Sequence, residues 1–186
     1  MKKGLSLTTV MVLAFLFIGG FTVYQIMKNA TKYDKKYKVE ATATVKKDAA
    51  KEKKEQTGYI GGVQYDINLD KSSSQEAVIE VMHKMTHQKV KAKEKWGAIP
   101  MIPDTINQVY QIVNNSKFEL KDDLLKILEK WKKGDFEEIA DDHNYFWEQQ
   151  GGTVGKANGT MTKAEEETFI QNNFGDEVAK QTSTQQ

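Results

Sequence analysis

The chain contains no cysteine, which excludes disulfides, thiolate nucleophiles and cysteine-ligated zinc or iron–sulfur centres. Arginine is absent too: all 27 basic side chains are lysine. The planar fork that grips phosphates, carboxylates and guanine edges at two points is therefore missing. Only two prolines occur, Pro100 and Pro103, and only three histidines, His83, His87 and His143. The formal net charge is +1, but it hides an asymmetry. Residues 30–57 carry nine Lys against five acids, whereas residues 58–178 carry 14 Lys against 21 acids. An acidic main region argues against nucleic acid as a partner, because basic surface supplies most of that affinity.

One long apolar run is present. LSLTTVMVLAFLFIGGFTVYQIM, residues 5–27, contains no charged side chain. As a helix it would span ~34 Å, against a hydrocarbon core of ~30 Å. Lys2 and Lys3 precede it, and no small-residue cleavage site closes it, so the sequence predicts an uncleaved, single-pass signal-anchor. The short basic tail at residues 1–4 is expected to stay inside, which places the C-terminal domain outside the cytoplasmic membrane. The lysines after the run pull the other way under the positive-inside rule. Residues 28–57, rich in Lys, Ala, Thr and Glu, have no sustained apolar face and read as a solvated stalk.

Beyond a weakly alternating stretch at residues 58–69, apolar spacing of the helical kind dominates. Ser73 and Glu76 fit a capping box that opens a helix running to about Lys95, with Gly97 behind it. Ile106, Val109, Tyr110 and Val113 mark a second helix. Leu120, Leu124, Ile127, Leu128 and Trp131 mark a third that stops at Gly134. Asp135 and Glu138 open a fourth, ended by Gly151-Gly152. Thr162 and Glu165 open a fifth, which stops near Gly175. The tail at residues 176–186 is expected to be disordered. The predicted fold is all-α: a transmembrane helix, a flexible stalk, and a bundle of about five helices over residues 58–175 around a single core.

Candidate chemistry gathers at the histidines and one glycine run. His83 and His87 have the i, i+4 spacing that grips zinc. Lys84, however, occupies the place of the zinc-protease glutamate, and His143 has Ala140 where a di-iron E-x-x-H element needs an acid. At 100° per residue, Glu76, Glu80, His83 and His87 share one stripe opposite Val78, Val81, Met82, Met85, Ala92 and Trp96. That stripe is expected to face solvent. His143 sits at the centre of the apolar face of Phe136, Ile139, Ala140, Phe146 and Trp147, so it is expected to be buried. A site shared by all three histidines is not expected. In QGGTVGKANG, Gln150 stands where a phosphate-binding loop needs its first glycine. Ala157 replaces the Ser/Thr, and a helix rather than a strand precedes the run, so it reads as a connector. Acidic pairs such as Asp141/Asp142 read as solvated helix faces.

Two stretches, HKMTHQKVKAKEKWGAIPM (83–101) and GDFEEIADDHNYFWEQQGGTVGKANG (134–159), carry a resemblance. The chain resembles an uncharacterised family of small membrane-anchored proteins of Bacillus-type Gram-positive bacteria, over roughly Ser74 to Phe174. The resemblance implies a cell-envelope setting and carries over no functional residues. The sequence thus predicts a membrane-anchored, non-catalytic helical domain that binds an envelope protein or polymer, tethered to the lipid bilayer by residues 5–27. It assigns no catalytic residue, no cofactor and no metal, with His83 and His87 as the alternative metal pair. The alternative function is a small-ligand receptor or hydrolase-like enzyme built on His143, Trp147, Gly152, Thr153 and Lys156.

Overall fold

The computed structural model describes residues 44–183. The predicted anchor at residues 5–27 and the first part of the stalk lie outside them. Among the described residues, no helix is long and apolar enough to cross a membrane. Residues 44–57 form helix α1, whose side chains are exposed as far as residue 55. A compact unit begins at Glu52.

Six more helices follow in chain order: α2 (Gln75–Thr86), α3 (Pro103–Asn114), α4 (Lys121–Lys132), α5 (Ile139–Gln149), α6 (Lys163–Asn173) and α7 (Asp176–Ser183). Two short strands, β1 (Val90–Ala92) and β2 (Ala157–Thr160), pair antiparallel, with Val90 opposite Thr160 and an irregularity between Lys91 and Ala92. Among the described residues, the five helices expected over residues 58–175 appear as α2–α6, with a two-stranded sheet added, α1 in the predicted stalk and α7 in the predicted tail.

Local chemistry explains most boundaries. The Ser74 hydroxyl accepts from Ala77 N and starts α2 one residue after the predicted cap. Pro103 opens α3, where its missing N–H costs nothing. Thr162 and Glu165 form the expected capping box of α6. Gly134 takes φ +73°, a left-handed turn that ends α4 without the Cβ penalty of other residues.

Three expectations are corrected. Helix α2 stops at Thr86 rather than near Lys95, because residues 90–92 pair with β2 instead. Lysine, alanine and glutamate favour helix here, and the long-range partner overrides that local preference. Trp96, assigned to an apolar helix face, lies on the connector after β1 and is 76% exposed. The chain from Asp176, expected to be disordered, forms α7, which buries Val178.

The predicted single core is two clusters. The larger joins α2–α5 and β1 through Val78, Met82, Met85, Val90, Ile106, Val109, Leu124, Leu128, Trp131, Ile139 and Phe146. The smaller gathers Ala98, Ile102, Met161, Phe169, Ile170, Phe174 and Val178. Polar groups inside the fold are paired. Glu166 accepts from Lys89 Nζ at 2.6 Å and from Gln88 Nε2 at 3.1 Å, and the Gln88 carbonyl oxygen accepts from Met101 N. Asp142, expected on a solvated face, is buried; it accepts from Trp131 Nε1 at 2.9 Å and Lys130 Nζ at 2.8 Å. The indole and ammonium donors replace the water this carboxylate gives up. They also fix the rotation of α5 about its axis, and with it the direction of His143 one residue on.

Next to the sheet, the side-chain amide of Gln56 in α1 donates to Ala92 O at 2.9 Å and accepts from Ala92 N at 3.1 Å.

Candidate metal centre

Helix α2 packs against α5, and this crossing brings His83, His87 and His143 together. Ring centroids lie 5.0 Å apart for His83–His87, 4.4 Å for His83–His143 and 5.5 Å for His87–His143. One nitrogen from each ring falls within 4.8 Å of the other two. The expectation that His83 and His87 face solvent, apart from His143, is therefore corrected. His87 is 5% exposed and His143 fully buried, with His83 half-buried at the mouth. The helical wheel located the apolar stripe of α2 correctly but assumed that a single stripe is covered. The connector after β1 and helix α5 cover the opposite side as well.

Each ring has its Nδ1 committed to an oxygen. His87 Nδ1 lies 2.6 Å from Gly97 O, and His143 Nδ1 lies 3.2 Å from Asn144 Oδ1. Asn144 cannot turn its amide over, because Ala157 N donates to its Oδ1 at 2.8 Å while its Nδ2 donates to Ala157 O at 3.1 Å. His83 Nδ1 lies 2.5 Å from Gln150 Oε1. A carbonyl oxygen only accepts, so His87 and His143 carry the ring proton on Nδ1; for His83 the proton follows whichever end the Gln150 amide turns to it, and the Nε2 atoms are the nitrogens left for the centre. Two of these, on His83 and His143, face each other at 3.0 Å. With the Gln150 amide turned over, His83 Nε2–H donates to the His143 lone pair; with the amide oxygen towards His83, both Nε2 lone pairs are open to a cation.

The surroundings keep the rings neutral. Burial pushes His87 down to about 3, against the opposing Gly97 carbonyl, with His83, His143 and Lys95 adding to the depression. Burial and then His83 push His143 down to about 4. Burial also lowers His83, against the bond to Gln150 and the charge of Glu80. Lys95 is lowered by burial to about 7, although its Nζ donates to Gln56 O, His87 O and Val90 O at 3.0–3.2 Å. Those three carbonyls favour the charged ammonium and oppose the effect of burial.

The neutral state of the triad makes a pH prediction for the metal-free protein. Unfolded histidines titrate near 6.5, above the folded values. The unfolded state therefore binds more protons between those values, and stability falls as pH drops. Each buried ring contributes up to ~1.4 kcal/mol per pH unit. Urea midpoints measured between pH 6.5 and 5 in a chelator are expected to fall steeply, and the His87→Gln, His143→Gln double variant is expected to flatten that slope.

A cleft of about 340 Å³ opens from the triad to solvent, walled by Trp147, Trp96, Gln150, Lys84, Glu80 and Val154 among others. Of the side chains proposed from sequence as a ligand site, His143 and Trp147 line it; Thr153 and Lys156 are exposed and do not. Lys156 instead pairs with Glu148 at 3.1 Å and lies 5.4 Å from the Trp147 ring centroid. Gly152 backs the cleft wall: a Cβ on it would stand 2.3 Å from the Trp147 ring. The glycine run is thus a packed support for Trp147, whose Nε1 donates to Val154 O at 2.8 Å. Gly152→Ala is expected to displace the indole and break that bond, costing ~1–2 kcal/mol and shifting tryptophan emission. An unchanged emission spectrum would remove Gly152 from this role.

Sequence reasoning missed Gly97, Asn144 and Gln150. Gln150 meets its ring 67 residues away, and Asn144, though next to His143, is aimed at it by the backbone of Ala157, so nothing local marks either.

The part of the chain that supplies all three rings is also the part that compares with other sequences. Residues 82–171 match the model of a family of unknown function (DUF6241). The matched segment runs from the residue before His83 to the third turn of α6 and includes the whole triad. No curated protein and no solved structure matches the chain.

The donor set fits a zinc-like divalent metal. Three imidazole nitrogens at 2.0–2.1 Å from a tetrahedral ion stand ~3.3 Å apart, and such sites with three protein ligands keep a fourth position open. The pair at 3.0 Å is already at that spacing, and the remaining separations lie within 4.8 Å. Closure by ~1.5 Å or less completes the set. Each ligand is oriented by a partner on its other nitrogen, the arrangement that fixes tautomer and ring direction in metal-ligating histidines.

Proposed function

We propose that this domain binds one zinc-like divalent cation through Nε2 of His83, His87 and His143. The observation that carries the reading is the convergence of the three rings: Nε2 of His83 and of His143 meet at 3.0 Å, one nitrogen of each ring lies within 4.8 Å of the other two, and the other nitrogen of each ring is held from outside.

Chelator-free native mass spectrometry of the full chain is expected to show one zinc per molecule, lost in His87→Gln and His143→Gln. Folded protein without bound metal after zinc addition would overturn the reading. A second readout is independent of mass. In the metal-free state, His83 must carry its proton on Nε2 to donate to His143, with the Gln150 amide turned over. Nitrogen-detected NMR is then expected to report a change of tautomer at His83 when zinc is added.

The centre operates, in this reading, at the cell envelope of a Bacillus-type organism, on a tether formed by residues 5–27. The uncharged length of that run and the basic residues flanking it support this placement. Membrane fractionation of the full-length protein, with intact-mass confirmation that residues 5–27 are retained, tests it. A soluble, shortened product would count against the tether.

A further inference from the structure

Three neutral ligands leave the full double charge of the ion uncompensated. The two acidic side chains that line the cleft, Glu80 and Glu94, do not belong to the group of converging ligand atoms. Glu80 is instead held by Lys84 at 2.6 Å. The fourth position therefore favours an anion over a neutral donor.

The cleft above that position adds shape. Trp147 and Trp96 both line it, and Trp96 and Val154 remain 76% and 56% exposed. Trp147 is rigidly placed by Gly152 behind it and by its bond to Val154 O. An exposed indole, Trp96, and a half-buried one, Trp147, at a small polar-floored cleft match the pattern of a ligand pocket: apolar walls and a few polar groups that fix orientation.

Resting on the metal reading, we propose that the open side of the triad binds a small organic carboxylate. Its charged end completes the coordination of the metal, and its apolar body lies against Trp147 and Trp96. The volume of about 340 Å³ accommodates a single ring with its carboxylate. Proton inventory is simple: the ligand enters as the anion and displaces a bound water, with no bond made or broken in the organic part.

Cobalt(II) reports the test, because its visible absorption responds to the fourth ligand. The full chain is loaded with cobalt, then titrated separately with benzoate, acetate and benzyl alcohol. Benzoate is expected to shift the visible bands and quench tryptophan emission. Acetate is expected to shift the bands at higher concentration with little quenching, and benzyl alcohol to leave the bands in place. Trp96→Ala, at an exposed position, and Trp147→Phe are each expected to weaken benzoate ~3- to 10-fold while leaving cobalt stoichiometry and acetate affinity unchanged. Cobalt uptake with bands that neither anion moves would overturn the carboxylate proposal alone, as would an equal response to benzyl alcohol. Failure of cobalt to bind at all would overturn the metal reading beneath it.

Discussion

Zinc at about a thousandfold excess over its dissociation constant is expected to stabilise the folded protein by ~4 kcal/mol. For a domain of this size that corresponds to a rise in Tm on the order of 15 °C. The reason is that the triad ties α2 to α5, two helices that separate on unfolding and take the site with them. His143→Ala removes a ligand and the centre of the α5 face together, so its Tm is compared with and without zinc. The zinc-dependent increment is expected to vanish, with affinity reduced by more than ~100-fold, since even outer partners of metal ligands account for 10- to 100-fold. Asn144→Ala provides that outer test. It frees the His143 ring to rotate and is expected to weaken zinc by ~10–100-fold with the ligands intact. A zinc-dependent increment that persists undiminished in His143→Ala would show that the ion sits elsewhere.

Glu166→Ala is the second substitution with a large expected effect. It leaves the Lys89 ammonium buried with no anionic partner, and it removes the acceptor of Gln88, whose own oxygen holds Met101 N. The side chains of the Lys89–Glu166 pair are 9% and 10% exposed, so solvent cannot replace the lost carboxylate. Breaking a buried pair from one side typically costs ~3–5 kcal/mol. The Lys89→Met, Glu166→Leu double variant removes both charges and is expected to recover most of the loss, since apolar replacements of such pairs are often neutral or better. Urea unfolding of the wild type, the single variant and the double variant measures both. A single variant within ~1 kcal/mol of wild type would mean that water reaches Lys89.

The sequence made the helices readable where their signals are local. The Thr162–Glu165 box, the Ile106, Val109 and Val113 face of α3 and the apolar face of Leu124, Ile127, Leu128 and Trp131 each act within a few residues, and each appears in the fold. The sheet was not readable, because Val90–Ala92 sits among good helix formers and its partner lies more than sixty residues away. Asp142 shows the same limit. Its charge suggests solvent, yet Trp131 and Lys130 on the preceding helix supply the donors that let it enter the core.

The triad was half legible. The burial of His143 follows from its place among Ile139, Phe146 and Trp147, and that part of the reasoning needed only one helix. The positions of His83 and His87 depend on what covers the second side of α2, which a single helix does not encode. Their closeness to His143 comes from the crossing of α2 and α5 and from the turn that carries Gly97 back to His87. Gly97 adopts φ +76° there, with Lys84 Cε and Gly62 O at 3.0 and 3.2 Å from where a Cβ would stand. Gly97 was expected as a left-handed helix cap; it is left-handed but lies in the connector after β1, where its carbonyl orients His87.

The Gln56 amide gives the small sheet a property beyond geometry. By taking both the N–H and the carbonyl of Ala92, it occupies backbone groups that another extended chain would need for docking. A two-stranded ribbon with open edges invites pairing between molecules. Here one glutamine closes the ribbon's edge at Ala92, so that position offers no free backbone pair to a neighbouring strand.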